Sequence, residues 1–260
     1  MKSNKYTLIT GASQGLGKAF AEFCAEKKHN LILISLPNES INILSKRLEN
    51  KHLIDVIIFE TDLTKKENIS GLVNATKGLN INVLINNVGI GGAKKFTEVS
   101  LEYIDNMMLL NMRSLVALTH QLLPKLLDQN AGYILNVASL AAFSPIPFKT
   151  VYPASKAFVS SFSRGLNTEL KKTNVHVSVA YPGGMTTNKE VSKRIDSQSK
   201  LVKLSILPVH KIAAICIEKL YRKKAIIIPG NVNRLSSILQ RIVPLHIQLS
   251  IMSKKIQREL

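Results

Sequence analysis

Seven short apolar runs, separated by longer segments with helical periodicity, constrain the fold of this chain more than any other feature. Each run is about as long as a strand and is apolar on both faces, which is typical of a parallel sheet covered by helices. The runs are Tyr6–Thr10, Leu31–Ser35, Val56–Glu60, Val83–Asn86, Gly132–Ala138, Val175–Ala180 and Ala225–Ile228. The alternation predicts right-handed βαβ units, so we expect an α/β fold with a doubly wound, mostly parallel sheet of seven strands.

The segments between the runs predict helices that cover this sheet. The longest predicted helix lies between the fourth and fifth runs, and its apolar residues are spaced to share one face: Ile104, Met108, Leu115, Leu118, Leu122 and Leu126. No linker rich in Pro, Gly or Ser divides the 260 residues. We therefore expect a single domain over residues 1–230 and an extension over residues 231–260.

The extension combines basic and apolar residues. It carries Arg234, Arg241, Lys254, Lys255 and Arg258 against a single acid, Glu259, with apolar residues between them. Pro244 should break it into two helical pieces. Packing against its own domain or an oligomer interface is favoured, and contact with an anionic membrane surface is the alternative.

A glycine cluster follows the first strand and opens a helix. Gly11, Gly15 and Gly17 have the spacing G-x-x-x-G-x-G, preceded by Thr10. Glycines at a first βα turn permit the tight turn, the approach of a pyrophosphate to the backbone, and close packing of helix on strand. The cluster therefore predicts a dinucleotide site.

The order of further motifs resembles the short-chain dehydrogenase/reductase family, in particular its β-ketoacyl and hydroxysteroid reductase branch. After the Thr-Gly turn, the motifs follow in family order: Asp62-Leu63, Asn86-Asn87-Val88-Gly89, Asn111, Ser139, Tyr152-x-x-x-Lys156, Pro182-Gly183 and Thr186-Thr187. The resemblance spans about residues 5 to 230. It implies a Rossmann-type domain and an NAD(P)(H)-dependent enzyme that interconverts a carbonyl and an alcohol. It also implies a homodimer or homotetramer.

The resemblance implies four catalytic residues: Asn111, Ser139, Tyr152 and Lys156. Tyr152 would exchange a proton with the substrate oxygen, and Ser139 would donate a hydrogen bond to the same oxygen. A neighbouring ammonium favours a phenolate, so we expect Lys156 to lower the pKa of Tyr152. Lys156 would also bond the nicotinamide ribose, and Asn111 would hold a water that relays protons. Pro153 is tolerable only in the first turn of a helix.

The cofactor residues implied by the same motifs are Gly11, Ser13, Gln14, Gly15, Leu16, Gly17, Ser35, Asp62, Leu63, Asn87, Gly89, Tyr152, Lys156, Pro182, Gly183 and Thr186. The second strand ends in Ser35-Leu36-Pro37-Asn38, which offers neither the acid expected for NAD nor the Arg expected for NADP. Because no acid there would repel a phosphate, NADP(H) is favoured over NAD(H).

The expected substrate is a small carbonyl or alcohol with an apolar body, such as an acyl chain or a sterol-like ketone. Residues 140–150 and 91–95 should border its pocket without a charged group suited to a sugar or carboxylate, and residues 183–207 should form a lid. The net charge of +18 favours anionic binding partners. However, the sequence contains no recognisable nucleic-acid-binding module, so no nucleic-acid partner is expected. The His and Cys residues are scattered, so no metal site is predicted. Without an apolar leader or spanning segment, a cytoplasmic protein is expected. A non-catalytic nucleotide-binding or regulatory protein on the same fold stays the alternative.

Overall fold

A seven-stranded parallel sheet forms the centre of the molecule in a computed structural model, which describes residues 5–92, 94–186 and 204–257. The first six strands are β1 (Lys5–Thr10), β2 (Asn30–Ser35), β3 (Val56–Glu60), β4 (Asn80–Asn86), β5 (Gly132–Val137) and β6 (Val175–Ala180). Two short strands, β7 (Met185–Thr186) and β8 (Leu207–Pro208), pair with each other, and β9 (Ile226–Ile227) completes the large sheet. The order β3-β2-β1-β4-β5-β6-β9 confirms the predicted doubly wound sheet.

Helices cover both faces of this sheet. They are α1 (Gly15–Glu26), α2 (Ile41–His52), α3 (Lys66–Ala75), α4 (Leu101–Met108), α5 (Ser114–Leu127), α6 (Val151–Glu169), α7 (Val209–Tyr221), α8 (Asn231–Ile242) and α9 (Leu245–Gln257). Alternate residues of one strand enter different cores: Leu31 and Leu33 pack beneath α1, α2 and α7, whereas Ile32 and Ile34 pack beneath α3 and α5. Each strand therefore has to be apolar on both faces, as the sequence predicts.

The long helix expected around Met108 contains a π turn. Residues Leu109–Arg113 form this turn between α4 and α5. Its additional residue shifts the phase of α4 relative to α5, so that Met107 is buried while Met108 is 39% exposed. The expectation that Met108 shares the buried face of Leu115 is therefore wrong, because the π turn breaks the regular period.

The extension contains two helices, α8 and α9, on either side of Pro244, as predicted. Most of the expected lid, residues 187–203, lies outside the described residues; at its two ends Met185 pairs with Leu207. None of the described helices has the length and apolar content needed to span a membrane.

The sheet order positions a site at the carboxyl ends of the strands. Chain order reverses between β1 and β4, so the connections that leave these neighbouring strands run to opposite sides of the sheet. A crevice opens at such a switch point, and ligands of open α/β sheets bind there.

Candidate active site

The switch point opens into a cleft of about 910 Å³. Thirteen of the predicted cofactor residues line it: Gly11, Ser13, Gln14, Leu16, Ser35, Asp62, Leu63, Asn87, Gly89, Tyr152, Lys156, Pro182 and Gly183. Gly15 and Gly17 do not line it, and the side chain of Thr186 lies outside the described part of the chain. The volume is within the range of about 300–1,000 Å³ usual for small-molecule sites.

The glycine turn is held by close contacts with the end of β4. Gly11 has a φ of +65°, which favours glycine, and a Cβ on Gly17 would lie 1.9 Å from Gly11 O. Gly17 therefore allows α1 to approach the turn closely. Asn87 Nδ2 donates to Thr10 O at 2.9 Å, and Thr10 Oγ1 accepts from the backbone N–H groups of Asn87 and Val88.

The amino end of α1 suits an anion. Its N-cap, Gln14, makes no side-chain capping hydrogen bond, and the first turn contains no acid. Unsatisfied N–H groups and the helix dipole at such an end favour a phosphate. The glycine turn and this helix end therefore fit the pyrophosphate of a dinucleotide.

Tyr152 and Ser139 both line the cleft, and the Ser139 hydroxyl interacts with the Tyr152 phenol. Tyr152 lies in the first turn of α6, beside Pro153, as predicted. Ser139 follows β5 and caps the short 3₁₀ helix 140–143, because its Oγ accepts from Ala141 N at 3.1 Å. The cap occupies one lone pair of this hydroxyl and holds it beside the phenol. Ser139 is thus both a cap and a member of the site.

Lys156 lies one turn of α6 beyond Tyr152 and is buried. Its Nζ donates to Val137 O at 2.9 Å and lies 5.9 Å from the centre of the Tyr152 ring. Burial lowers the pKa of Lys156 to about 8. Gly89 makes room for it, since a Cβ there would lie 3.3 Å from Nζ and 2.9 Å from Asn111 Oδ1.

The pKa of Tyr152 lies above its usual value because the phenol is buried, and the hydrogen bond with Ser139 acts in the opposite direction. The expectation of a lowered pKa for Tyr152 is therefore wrong, because desolvation of the phenol dominates the net shift. A phenol with a raised pKa keeps its proton at neutral pH. This state suits proton donation to a carbonyl oxygen.

Asn111 lies within the π turn and is almost completely buried. Its amide forms two hydrogen bonds with the backbone of Ile90: Oδ1 accepts from Ile90 N and Nδ2 donates to Ile90 O, both at 2.9 Å. Nδ2 also donates to Ser155 Oγ at 3.0 Å, and that hydroxyl donates to Tyr152 O at 2.7 Å. Asn111 therefore fixes the loop after β4 relative to the start of α6.

Glu39 is a residue of the cleft that sequence reasoning missed. Its Oε2 accepts a hydrogen bond from Ser13 Oγ at 2.6 Å, at the end of the cleft that also contains Ser35. Asn38 and Ser40 both have left-handed φ values, which turn the chain back toward the glycine turn. The acidic residue is visible in the sequence, one position beyond the segment 35–38 that follows the second strand.

The expected substrate border is partly wrong. Lys149, inside the segment 140–150, lines the cleft, so the border does contain a charged group. Phe143 instead stacks on the buried Tyr181, with ring centres 4.6 Å apart, and Phe148 lines a smaller neighbouring cavity. Ile146 is absent from the described cleft wall, whereas Gly91 and Gly92 line it as expected.

Comparison with known proteins agrees with this geometry. The family model for short chain dehydrogenase matches residues 5–198. The chain belongs to the short-chain dehydrogenase family.

Two relatives fall in the ketoacyl and hydroxysteroid reductase branch of the short-chain dehydrogenases. The chain is 34% identical over 189 residues to very-long-chain 3-oxoacyl-CoA reductase-B of Danio rerio, covering 70% of this chain and 60% of the relative. It is 34% identical over 188 residues to 17-beta-hydroxysteroid dehydrogenase type 3 of the same organism, covering 70% and 61%. The matched region thus spans about three fifths of the length of these relatives.

A solved structure supports the same fold. The short-chain dehydrogenase from Sphingobium yanoikuyae in complex with NADPH superposes with a TM-score of 0.78. It is 27% identical to this chain, and the match covers 90% of this chain and 92% of that one.

Proposed function

We propose that this short-chain dehydrogenase interconverts a carbonyl and an alcohol with NAD(P)(H), and that Tyr152 is its general acid and base. The observation that carries the proposal is that Tyr152, Ser139 and Lys156 line the same cleft as the glycine turn. A bound nicotinamide would supply or accept the hydride at the substrate carbon. The activities named for the relatives support the same reaction class.

The residues of this site have different roles in catalysis. Tyr152 gives a proton to the carbonyl oxygen during reduction, and Ser139 donates a hydrogen bond to that oxygen. Asn111 positions Tyr152 through Ser155. Lys156, buried beside the phenol, would hold the nicotinamide ribose of a bound dinucleotide and provides a cation when protonated.

The test compares Tyr152→Phe with Tyr133→Phe, in which the same hydroxyl is removed from a tyrosine that packs on Tyr221 outside the cleft. Loss of the general acid should lower kcat by about 10²–10⁴-fold. Binding of the reduced dinucleotide, followed by fluorescence, should stay within about twofold, because Phe keeps the ring. If Tyr152→Phe retains most of its kcat, the assignment is wrong. Dinucleotide binding without turnover on a broad carbonyl panel would favour the regulatory alternative.

We propose an apolar carbonyl substrate that carries an anionic group, such as an acyl thioester of a phosphate-bearing carrier. Apolar side chains of the cleft, among them Ile90, Leu110 and Met185, suit an acyl chain, and Lys149 suits an anionic end. The name of the very-long-chain 3-oxoacyl-CoA reductase supports this choice. A panel of 3-oxoacyl thioesters, steroid ketones, sugars and quinones would test it. Turnover of sugars or quinones alone would contradict it.

We propose NADP(H) as the preferred cofactor, with Glu39 reducing its advantage over NAD(H). No acid directly follows β2, and the NADPH-bound neighbour supports the phosphorylated cofactor. However, a 2′-phosphate next to Ser13 would face the Glu39 carboxylate. Glu39→Gln should therefore tighten NADPH binding by about tenfold and change NADH binding by less than about twofold, equivalent to removing one repulsion of roughly 1.4 kcal/mol. Titrations of the wild type and the variant with both nucleotides test this. If the wild type binds NADH more tightly than NADPH, the proposed preference is wrong.

We also propose a homodimer or homotetramer in the cytoplasm. The outer side of α6 has a shallow groove around Gly165 in which small residues are flanked by Arg164 and Glu169, and Phe158 on the same helix is 42% exposed. A side chain at Gly165 would meet nothing within 4 Å of its Cβ in one chain. Gly165→Phe should therefore leave the fold intact but lower the mass measured by light scattering.

The buried free thiols of Cys24 and Cys216 support the cytoplasm, because free thiols suit a reducing compartment. Cell fractionation would test this location.

A further inference from the structure

Helix α8 is amphipathic in the opposite sense to an ordinary surface helix. Its apolar residues occupy positions i, i+3, i+4 and i+7 and face outward: Leu235, Ile238, Leu239 and Ile242 are 51–71% exposed. Its inward side is polar, with Asn233 and Ser237 buried. Leu245, at the start of α9, is also exposed, and we call these five apolar residues the outer face. A surface helix normally buries its apolar stripe.

Polar contacts fix this orientation of α8. Asn233 Nδ2 donates to Ser205 O at 3.0 Å and to Pro229 O at 2.9 Å. Gln248 of α9 donates through Nε2 to Gln240 O at 2.7 Å and to Val243 O at 2.6 Å. Rotating α8 to bury its leucines would break both Asn233 bonds and remove this donor from the buried Pro229 O. The outer face is therefore held toward the exterior.

The charge of the segment that carries the outer face favours one kind of binding partner over another. Residues 231–257 contain four Arg or Lys residues and no Asp or Glu, and the whole chain has a net charge of +18. A second copy of the chain would bring the same cationic surface against itself, which costs free energy. Exposed Leu and Ile residues in a segment whose charged residues are all basic are typical of helices that lie in the interface of an anionic bilayer.

We propose that the outer face docks onto an anionic lipid surface, with its apolar side chains in the acyl boundary and the net positive charge of residues 231–257 attracted to the headgroups. This docking would place the lipid next to the cleft. Asn233 lies beneath Gly183, where an added Cβ would be 2.8 Å from its Nδ2, and Gly183 lines the cleft. The docking itself does not depend on the proposed function, but an apolar substrate could enter from the same side.

The experiment is co-sedimentation of the full chain with phosphatidylcholine vesicles that contain or lack phosphatidylglycerol. The test variant carries Leu239→Asp and Ile242→Asp. The control is Ile43→Asp, because Ile43 on α2 is 72% exposed and Ile242 is 71% exposed. Circular dichroism and light scattering check the fold and mass of each variant.

The wild type and Ile43→Asp should bind the anionic vesicles at low salt and bind the neutral vesicles much more weakly. The double variant should bind the anionic vesicles at least about tenfold more weakly, since burying even one such side chain is worth about that factor. Equal binding by the wild type and the double variant would overturn the proposal, because charge alone would then explain adsorption. Unchanged vesicle binding together with a lower mass of the double variant would overturn it in favour of an interface between copies.

Discussion

Replacing Lys156 with methionine should stabilise the protein near neutral pH while it removes the activity. The Lys156 ammonium is buried, and its pKa falls from 10.5 to about 8. At about 1.36 kcal/mol per pKa unit, keeping this charge in the folded state at pH 7 costs about 3 kcal/mol. Methionine loses the hydrogen bond to Val137 O, worth about 1 kcal/mol. The expected gain is therefore about 2 kcal/mol, or roughly 4–8 °C in Tm.

The pH dependence of this gain identifies its cause. Below pH 8 the lysine is charged in both the folded and the unfolded state, so the full penalty is present. Between pH 8 and 10.5 the folded state loses its proton first, and the stability of the wild type rises relative to the variant. The gain from methionine should therefore be largest at pH 7 and should fade toward pH 10.5.

The assay is urea unfolding of the wild type, Lys156→Met and Lys46→Met at pH 7 and at about pH 10, with carbonyl reduction measured alongside. Lys46 is exposed on α2, so its replacement should change stability by no more than about 0.5 kcal/mol. A Lys156→Met protein less stable than the wild type at pH 7 would refute the reasoning. A difference that stays constant with pH would refute it as well, because the gain would then have a cause other than the buried charge.

Three further perturbations test the site and the extension. Gly91→Ala would place a Cβ 2.6 Å from Tyr152 Cδ2, so kcat should fall at least about tenfold, whereas Gly71→Ala, which meets nothing within 4 Å, should keep its kcat. Ser139→Ala removes the hydrogen bond that lowers the pKa of Tyr152, so the rise of alcohol oxidation with pH should move to higher pH; a shift to lower pH would contradict this assignment. Asn233→Ala removes one donor from each of two carbonyl groups and should lower the free energy of unfolding by about 1–3 kcal/mol in a urea titration. An unchanged free energy of unfolding would show that other contacts orient α8.

The strands and the breaks between helices could be predicted because local rules govern them. A short run that is apolar on both faces, such as Leu31–Ser35, is typical of a strand in a sheet that helices cover on both sides. Pro244 ends α8 because proline has no N–H to continue the helix. Tyr152 was placed in the first turn of α6 by the same rule, applied to Pro153.

The exceptions have equally physical causes. Met108 was expected on the buried face because an ideal period was assumed, but the π turn at Leu109–Arg113 adds a residue. That turn allows the Asn111 amide to form its two hydrogen bonds with the backbone of Ile90. These residues are 21 positions apart, so helical periodicity cannot predict the contact. Glu39 reaches Ser13 only because two left-handed residues turn the chain back.

The amino-acid order was sufficient to predict the sheet, the glycine turn and the residue types of the site, because each depends on spacing within one segment. The tertiary structure alone decided the protonation and the surroundings of these residues. Burial, which is a property of the whole fold, raises the pKa of Tyr152 and lowers that of Lys156. It also decided the direction of α8, whose sequence shows an apolar stripe but whose buried Asn233 turns that stripe outward.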